Sequence, residues 1–315
     1  MNVLSLFDGM SCGQIALNRC GIKYDKYFAS EIDKHAIEVT QYNYPNTIQF
    51  GDIKKLKASH FPKIDLILAG SPCQGFSKSG NYLNFKDSRS KLFFEFVRIL
   101  KECKPKYFLL ENVVMAKASQ QVISQYLGVE PIEINSSLVS AQHRKRLYWT
   151  NIPFEMPDDK NILLKDILEN GLASDKMTKD GKSYCLTASY QGAVWWNSIQ
   201  RKQRTMVKVD KPISKNGLQQ VGIADLNGHD SIKRVYHPQG KAPTLTTMGG
   251  GHREPKIACP DKIHWRKLTP LECERLQTLP DNYTEGVSNT QRYKMIGNGF
   301  TVDVIAHILK GIKDE

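Results

Sequence analysis

Short apolar runs alternate with segments of helical periodicity over the first 150 residues, and this pattern constrains the fold more than any other feature of the sequence. The run at residues 64–69 is apolar except for Asp65, which is typical of a strand buried on both faces. Because such alternation favours a sheet covered by helices on both sides, we predict an α/β fold with a doubly wound, mainly parallel sheet. Predicted strands lie at residues 3–7, 26–30, 64–69 and 107–110, and predicted helices at 14–19, 34–43 and 92–100.

The chain changes character after this alternating region. Residues 155–256 are polar and glycine-rich without long periodicity, whereas helical periodicity returns from Leu268 and continues to a predicted helix at 302–310. A chain of 315 residues is near the upper limit for one hydrophobic core, so we predict two domains. The larger comprises residues 1–154 and 257–315, and the smaller, irregular one comprises residues 155–256.

Positive charge is concentrated in one part of the chain. The net charge is +12, and residues 141–256 hold 19 Lys and Arg against 11 Asp and Glu. Lys and Arg gain affinity for polyanions by displacing the counterions condensed on phosphate, so a nucleic-acid partner explains this surplus. A well-solvated surface is the alternative explanation. The concentration of the charge in one region favours the nucleic acid.

The cysteines and the termini indicate the compartment. Seven cysteines are an odd number, and no pair has the spacing of a zinc ligand or of a disulfide framework. No stretch approaches the roughly 20 apolar residues that span a bilayer, and the N-terminus lacks the basic region of a signal peptide. We therefore expect a cytoplasmic protein with no metal site and no membrane partner, in which a thiol can stay reduced.

Ligands of doubly wound sheets bind at the carboxyl ends of the strands, and the polar motifs of this chain follow its predicted strands. Residues 7–13, Phe-Asp-Gly-Met-Ser-Cys-Gly, form a strand-to-helix turn where glycines let the backbone approach a ligand. Glu31 follows the second strand, and its carboxylate could accept hydrogen bonds from two ribose hydroxyls. Asp52 could accept one from an adenine amino group. For Asp33 and Asp52 a helix cap is an equally simple explanation.

The third strand ends in a motif that favours a reactive thiol. Cys73 lies between Pro72 and a Gln-Gly pair, a stiff and exposed bend that differs from the buried packing role expected of Cys20, Cys103 and Cys273. A cysteine at the carboxyl end of a strand is in a position to act as a thiolate nucleophile.

A carboxylate and two guanidinium groups are expected at the same edge. Glu111 ends the fourth strand, and Arg144 and Arg146 share one face if their segment is extended. Each of these residues could be structural, but the set of Cys73, Glu111 and an arginine pair is characteristic of a catalytic site.

These motifs, in this order, resemble those of the DNA cytosine-C5 methyltransferases. One departure is Ser11, where the family pattern Phe-x-Gly-x-Gly has glycine. The segment before the C-terminal motifs is long, as in bacterial or phage members, whereas Phe-Asp-Gly at 7–9 and Leu-Phe-Phe-Glu-Phe at 92–96 are similar to the animal de novo branch. The matching segments are 7–13, Glu31, Asp52, Pro72-Cys73-Gln74, Glu111-Asn112-Val113, Gln142-x-Arg144-x-Arg146, 266–277 and Gly297-Asn298-Gly299.

The resemblance implies a Rossmann-like class I methyltransferase with S-adenosylmethionine as cofactor and a target-recognition domain at residues 155–256. Cys73 would attack carbon 6 of cytosine, and Glu111, protonated or sharing a proton with N3, would orient the base. Arg144 and Arg146 would hold the ring oxygen or the catalytic carboxylate. The implied cofactor residues are Phe7, Gly9, Met10, Ser11, Cys12, Gly13, Glu31, Ile32, Asp52, Ile53, Pro72, Leu92, Asn298 and Phe300.

A cytosine stacked in a duplex is out of reach of such a site, so the base must be flipped out of double-stranded DNA. Residues 75–91 form a long polar and basic segment, which predicts a lid that contacts DNA. We expect the protein to act as a monomer. The expected DNA-binding residues are Gln74, Ser77, Lys78, Arg89, Gln142, Arg201 and Arg204.

Two other functions remain open at this point. One branch of the family methylates RNA cytosine, although its members have a short variable region. A catalytically silent homologue that only binds DNA is the second, although such proteins lose the cysteine or the Glu-Asn-Val motif. A nicotinamide-dependent oxidoreductase would share the fold class but not the Cys–Glu–Arg set.

Overall fold

The protein is described by a computed structural model that covers residues 1–71, 90–174, 177–194, 198–209, 220–223, 234–236, 256–257 and 264–312. Its largest element is a seven-stranded sheet with the order β3-β2-β1-β4-β5-β7-β6. The first five strands in this order are parallel, and β7 runs antiparallel to both β5 and β6. The strands are β1 Asn2–Leu6, β2 Lys26–Ser30, β3 Ile48–Gln49, β4 Leu66–Gly70, β5 Tyr107–Val113, β6 Ile132–Asn135 and β7 Lys145–Thr150.

Seven helices accompany the sheet in the described part of the chain. The sheet separates two hydrophobic clusters, because successive residues of a strand point to opposite faces. On β1, Val3 belongs to one cluster and Leu4 to the other, and on β4 the same holds for Leu66 and Ile67. The helices are α1 Cys12–Arg19, α2 Lys34–Asn43, α3 Ser90–Cys103, α4 Lys117–Leu127, α5 Pro270–Leu276, α6 Asn289–Asn298 and α7 Val302–Leu309.

The predicted fold class, a doubly wound and mainly parallel α/β sheet, is confirmed. The order of the strands also indicates at which edge of the sheet a ligand would bind. From β1 the chain builds outward through β2 and β3, and it then returns to add β4 on the other side of β1. Ligands of doubly wound sheets bind at such a reversal, outside the carboxyl ends of the strands. The turn after β1 and the ends of β2, β4 and β5 therefore surround the expected site.

The C-terminal segment packs against helix α1. Helix α7 lies against α1, where the thiol of Cys20 donates to the carbonyl of Ala306 at 2.9 Å and Arg19 pairs with Asp303. The last helix thus lies against the first helix of the chain, and the membership of this segment in the larger domain stays a prediction. No helix in the described part of the chain is long and apolar enough to cross a membrane.

Residues of the two predicted domains, which were divided at residue 256, pack against each other. Strand β8 (Met206–Val209), from the smaller predicted domain, pairs antiparallel with β12 (His264–Lys267) from the larger one. Leu164 and Tyr190 share a hydrophobic cluster with Leu268. The division into two domains stays a prediction. Strands β9 (Gln220–Ile223), β10 (Arg234–Tyr236) and β11 (Lys256–Ile257) form a separate three-stranded sheet.

Close packing of α1 on the sheet generates a stability prediction at Gly13. A Cβ at this position would lie 2.7 Å from Leu68 Cδ1 and 2.7 Å from the Tyr27 hydroxyl oxygen, so neither neighbour leaves room for a methyl group. Gly13→Ala should therefore lower the free energy of unfolding by about 2 kcal/mol, as overpacked cores do. Urea denaturation measures the loss. Asn18→Ala, at an exposed position of the same helix, is the control and should change stability by less than about 0.5 kcal/mol; equal stability of both variants would contradict the packing account.

Candidate active site

The turn between β1 and α1 faces open space. Gly9 has a positive φ of 60°, and a Cβ built on it would meet no atom within 4 Å. The N–H of Gly9 donates to Glu31 Oε2 at 2.8 Å, which ties the turn to the end of β2. Ser11 also takes a left-handed conformation, with φ 61°. The family's glycine at this position is thus replaced by a serine that keeps the backbone geometry of a glycine.

The side chains of the turn point inward. Met10, Ser11 and Cys12 are at most 2% exposed, and a Cβ at Gly299 would lie 2.8 Å from Met10 Cε and 3.2 Å from Cys12 Sγ. These residues can therefore meet a cofactor only through their backbone. Phe7 is half-buried and Gly13 is buried beneath the turn.

The end of β2 presents a carboxylate beside an exposed apolar side chain. Glu31 Oε1 accepts hydrogen bonds from the N–H groups of Ile32 at 2.7 Å and Asp33 at 2.8 Å. Ile32 itself is 78% exposed. An exposed isoleucine next to a fixed carboxylate can pack against the flat base of a nucleoside while the carboxylate accepts hydrogen bonds from the hydroxyls of its ribose.

Asp52 acts as a cap in this structure. Its Oδ1 accepts from the N–H of Lys54 at 3.0 Å at the start of a short 3-10 turn, as its local sequence also suggested. The adjacent Ile53 is 3% exposed and packs in the second hydrophobic cluster. A cofactor contact by Asp52 stays a prediction, and it would have to use the carboxylate oxygen that does not cap.

The C-terminal segment closes the site over the end of β4. A Cβ at Gly70 would lie 2.8 Å from the Phe300 ring, so the missing side chain of Gly70 lets this ring lie on the strand end. Phe300 is buried, Asn298 is exposed at the end of α6, and Leu92 is half-buried on α3. The predicted cofactor residues of the two chain ends are thus brought to one edge of the sheet.

A buried ion pair occupies the end of β5. Arg146 Nε lies 3.1 Å from Glu111 Oε1, and the side chains are 14% and 10% exposed. Burial works against the charged guanidinium, but the attractions of Glu111, Cys185 and Tyr148 together outweigh it, so the pKa of Arg146 is raised above its usual value. The arginine therefore stays charged at any physiological pH. The pair presents one fixed carboxylate at the predicted catalytic edge.

Asn112, which follows Glu111 in the Glu-Asn-Val motif, fixes the start of the segment after β4. Asn112 Nδ2 donates to Ser71 Oγ at 3.0 Å, and both side chains are buried. Ser71 directly precedes the segment with the predicted nucleophile, and its contribution to positioning was not predicted from the sequence. The predicted site residues Pro72, Cys73, Gln74, Ser77, Lys78 and Arg89 lie outside the described residues.

Arg144 does not share the surroundings of Arg146. Its side chain is 3% exposed and donates to the carbonyl oxygens of Leu186 at 3.0 Å, Gly297 at 3.2 Å and Gly299 at 3.0 Å. These contacts differ from the predicted hold on the base or on the catalytic carboxylate, because the guanidinium is already committed to backbone acceptors. In this structure Arg144 fastens the C-terminal motif to the sheet domain.

Gln142 is a correction to the predicted DNA-binding set. It is 0% exposed, so DNA cannot reach it. Its amide nitrogen donates to the Leu276 carbonyl at 2.6 Å and to Gln277 Oε1 at 2.8 Å, and its amide oxygen accepts from the N–H of Leu186 at 3.2 Å. All of these contacts are internal, and Gln142 is a buried structural link to the C-terminal segment.

The two predicted arginines of the basic region have different surroundings. Arg201 is exposed, as a phosphate contact requires. Arg204 donates to the Gly192 carbonyl at 3.0 Å and to Ser189 Oγ at 2.9 Å, so its guanidinium also holds a neighbouring turn.

A second thiol near the ion pair was missed by the sequence reasoning. Cys185 Sγ accepts a hydrogen bond from Arg144 Nη1 at 3.7 Å, and it also contributes to the raised pKa of Arg146. Nothing in the sequence near Cys185 signals this proximity, because the contact joins positions 41 residues apart.

The two arginines should respond differently to the same substitution. Arg144→Lys leaves several buried carbonyls without a donor and should lower the free energy of unfolding by about 3 kcal/mol. Arg146→Lys keeps a positive charge beside Glu111, so it should lose less stability but should reduce kcat. Urea denaturation and steady-state kinetics of the two variants measure both effects. Equal losses of stability would show that Arg144 is not the structural member of the pair.

Comparisons with known proteins agree with this geometry. A sequence model of the family "C-5 cytosine-specific DNA methylase" matches residues 1–314. The type II methyltransferase M.NgoBV of Neisseria gonorrhoeae is 34% identical over 96% of this chain and 96% of the relative, and the orphan methyltransferase M.SPBetaI of Bacillus phage SPbeta is 29% identical over 98% and 97%. The solved structure of the Entamoeba histolytica methyltransferase EhMeth has the same fold, with a TM-score of 0.68 and 16% identity over 99% of this chain and 97% of that chain. This chain therefore belongs to the family of C-5 cytosine-specific DNA methylases and is a DNA (cytosine-5-)-methyltransferase.

Proposed function

We propose that the enzyme methylates carbon 5 of a cytosine flipped out of double-stranded DNA, and that the transfer proceeds through a covalent bond between Cys73 Sγ and carbon 6. The observation that carries this proposal is the buried pair of Glu111 and Arg146 at the carboxyl edge of the sheet. The link between Asn112 and Ser71 supports it, because it joins the Glu-Asn-Val motif to the residue that precedes the Pro72–Cys73 motif.

Members of this family use S-adenosylmethionine, and the edge of the sheet fits that molecule. Open space lies over Gly9, a fixed carboxylate and an exposed apolar side chain lie together at Glu31 and Ile32, and Asn298 is exposed at the opposite side. We assign the ribose to Glu31 and the adenine to Asp52 and Ile53, with Phe7 and Ile32 beside the adenine and methionine parts. Gly9 and Met10 approach the cofactor through their backbone. The methionine end is assigned to Pro72, Leu92, Asn298 and Phe300. When bound, S-adenosylmethionine supplies a methyl group carried on a sulfonium.

The proposed role of Cys73 follows from the chemistry of the base. Carbon 5 of cytosine is too weak a nucleophile to take a methyl group unaided. The Cys73 thiolate would form a bond to carbon 6, and the electron pair of the C5–C6 double bond would then become available at carbon 5. Carbon 5 would use that pair to form the bond to the methyl group, while the bond between the methyl carbon and the sulfonium sulfur breaks and its electron pair stays on sulfur.

Glu111 would stabilise the negative charge that the attack of the thiolate places on the cytosine ring. Its carboxyl group, protonated or sharing a proton with N3, would stabilise the negative charge that develops there. Arg146, held 3.1 Å from Glu111, fixes the direction of that carboxyl group by a charge-assisted contact. The raised pKa of Arg146 keeps its guanidinium group charged throughout the reaction.

Elimination completes the cycle. A base removes the proton from carbon 5, and the electron pair of that C–H bond re-forms the C5–C6 double bond. The bond between carbon 6 and Cys73 Sγ breaks, and the thiolate is regenerated. A water molecule is a sufficient base for this step.

Cys73→Ser should abolish methyl transfer while the affinity for S-adenosylmethionine stays nearly unchanged, because the thiol acts on the base and not on the cofactor. The wild-type enzyme should form a denaturant-stable adduct with DNA that carries 5-fluorocytosine at the target, since fluorine at carbon 5 blocks the elimination. Denaturing electrophoresis detects this adduct. A full yield of adduct from Cys73→Ser would overturn the assignment of the nucleophile.

Two controls sharpen that experiment. Cys103→Ser changes a half-buried thiol on α3 and should leave adduct formation intact. A matched single-stranded RNA with 5-fluorocytosine tests the alternative substrate, and preferential adduct formation with RNA would replace DNA in the proposal. Failure of the wild-type enzyme with both nucleic acids would favour a catalytically silent DNA-binding protein.

The basic region should contribute to DNA binding through phosphate contacts. Arg201 and Lys202 are both exposed, so the informative variant is Arg201→Gln combined with Lys202→Gln. It should flatten the dependence of DNA affinity on salt, by up to about 0.9 in logarithmic slope per lost contact. Fluorescence anisotropy between low and moderate salt measures this slope.

The matched control removes two exposed lysines at the opposite edge of the sheet, Lys23→Gln and Lys26→Gln. It should leave the salt slope unchanged. Equal slopes for both double variants would mean that the positive charge of residues 201–202 is an ordinary solvated surface. Calorimetry with S-adenosylmethionine should give the wild-type affinity in each case.

A further inference from the structure

The turn between β1 and α1 encloses the carboxyl group of Asp8, which is only 7% exposed. Its Oδ1 accepts a hydrogen bond from the Tyr27 hydroxyl at 2.9 Å, and its Oδ2 accepts one from the Ser11 hydroxyl. The charged side chain that influences it most is Glu31, another carboxylate. Asp8 is thus a buried acid held by neutral donors rather than by a cation. Such a group is costly to bury, and its place beneath a ligand-facing turn makes it a candidate for a role in that turn.

Asp8 accepts the hydrogen bonds that its neighbours donate, and these neighbours belong to a larger hydrogen-bond network. The Ser11 hydroxyl donates to Asp8 and accepts from Gln14 Nε2 at 3.0 Å. The same amide nitrogen donates to Thr47 Oγ1 at 2.7 Å, and Gln14 Oε1 accepts from the Tyr24 hydroxyl at 2.9 Å. An ionised carboxylate only accepts hydrogen bonds, so it completes this arrangement. The hydroxyl groups of Ser5, Ser11 and Tyr27 all interact with Asp8. A protonated carboxyl carries a hydrogen of its own, so it offers these three hydroxyl groups fewer acceptor positions.

The backbone of the turn depends on one of these bonds. Ser11 has φ 61° and ψ 41°, a left-handed conformation that residues other than glycine adopt at a cost. Its hydroxyl group is tied to Asp8, while the N–H of Gly9 is tied to Glu31. Two carboxylates therefore fix the turn, Glu31 through Gly9 and Asp8 through Ser11.

Asp8 titrates in an accessible range of pH. Burial raises the pKa of Asp8 to about 6. Burial also raises the pKa of the Cys12 thiol to about 12 and the pKa of both neighbouring tyrosines above the usual range, so these three groups stay neutral near pH 6. The titratable groups that face Asp8 are Tyr27 from β2, Glu31 after β2, Cys12 from α1 and Tyr283 from the C-terminal segment.

We propose that Asp8 is a positioning residue for the cofactor: its ionised carboxylate, acting through Ser11, holds the turn in the conformation that receives S-adenosylmethionine. This inference rests on the proposed function, because it takes the turn to be part of the cofactor site. Protonation of Asp8 releases the Ser11 hydroxyl and weakens cofactor binding. A glycine at position 11 reaches the same backbone conformation without help, so Ser11→Gly makes Asp8 dispensable.

The test is a double-mutant cycle followed by calorimetry with S-adenosylmethionine between pH 5 and pH 8. The wild-type Kd should rise about tenfold as the pH falls through 6, the effect of one lost hydrogen bond to a charged group. Asp8→Asn should bind about tenfold more weakly than the wild type at pH 8. Ser11→Gly should have the same Kd at pH 8 with or without Asp8→Asn, and both variants should lose the pH dependence that Asp8 causes.

Two outcomes would overturn the proposal. If the double variant binds as weakly as Asp8→Asn, Asp8 does not act through Ser11. If Asp8→Asn keeps the wild-type Kd and pH profile, the carboxyl is only a buried polar group. S-adenosylhomocysteine, which carries no sulfonium charge, should follow the same pattern; a pH effect confined to S-adenosylmethionine would replace positioning by direct attraction between charges.

Thermal unfolding without cofactor gives an independent readout. The pKa of Asp8 is about 6 in the folded protein against an ordinary 3.8, so protonation favours the folded state. Its contribution to stability is complete below about pH 4 and is lost as the pH rises through 6. The Tm of the wild type relative to Asp8→Asn should therefore rise as the pH falls from 7 to 4.

The same unfolding experiments separate the coupling between Asp8 and Ser11 from the existence of a cofactor site. Ser11→Gly should raise the Tm more in the Asp8→Asn background than in the wild type, because the strain of Ser11 is then no longer offset by its hydrogen bond. Equal effects in the two backgrounds would contradict the coupling. If the wild type binds no S-adenosylmethionine at any pH, the proposed cofactor site fails, while the unfolding data still decide whether Asp8 holds Ser11.

Discussion

The buried guanidinium of Arg144 joins parts of the chain that are up to 155 residues apart, and the geometry of the site depends on this contact. It donates to backbone carbonyls in the basic region, at Leu186, and in the C-terminal motif, at Gly297 and Gly299. Buried carbonyls need donors, and here one side chain supplies three of them. The motif is thereby held where the Phe300 ring covers the end of β4.

Arg144 and Arg146 belong to the same motif, but the first has a structural role and the second contacts the proposed catalytic carboxylate. Arg144 is committed to backbone acceptors, whereas Arg146, two residues later, pairs with Glu111. Glu111 lies on β5, on one side of β1 in the sheet, and Glu31 follows β2 on the other side. Glu31 accepts a hydrogen bond from the N–H of Gly9 and thereby fixes the turn after β1. A carboxylate thus sits at the centre of each half of the site, one beside the proposed base pocket and one beside the proposed cofactor pocket.

The sequence predicted the sheet better than it predicted the connections. Strand β2 and helix α2 have the bounds that the pattern indicated, because apolar spacing and the capping residue Asp33 are local signals. Strands β3, β6 and β7 and helix α4 were not predicted, and β3 and β6 are short, with two and four residues. The burial of Gln142 was also beyond local reasoning, because its partners Leu276 and Gln277 lie more than 130 residues away.

The central claim is that carbon 5 of cytosine carries both the old hydrogen and the new methyl group in the course of one reaction. Release of tritium from DNA labelled at carbon 5 of cytosine, measured together with methyl transfer from S-adenosylmethionine, tests it most directly. We expect one tritium to be released for each methyl group transferred, and none from Cys73→Ser. Methyl transfer without release of tritium would place the methyl group on another atom and would contradict the proposed mechanism.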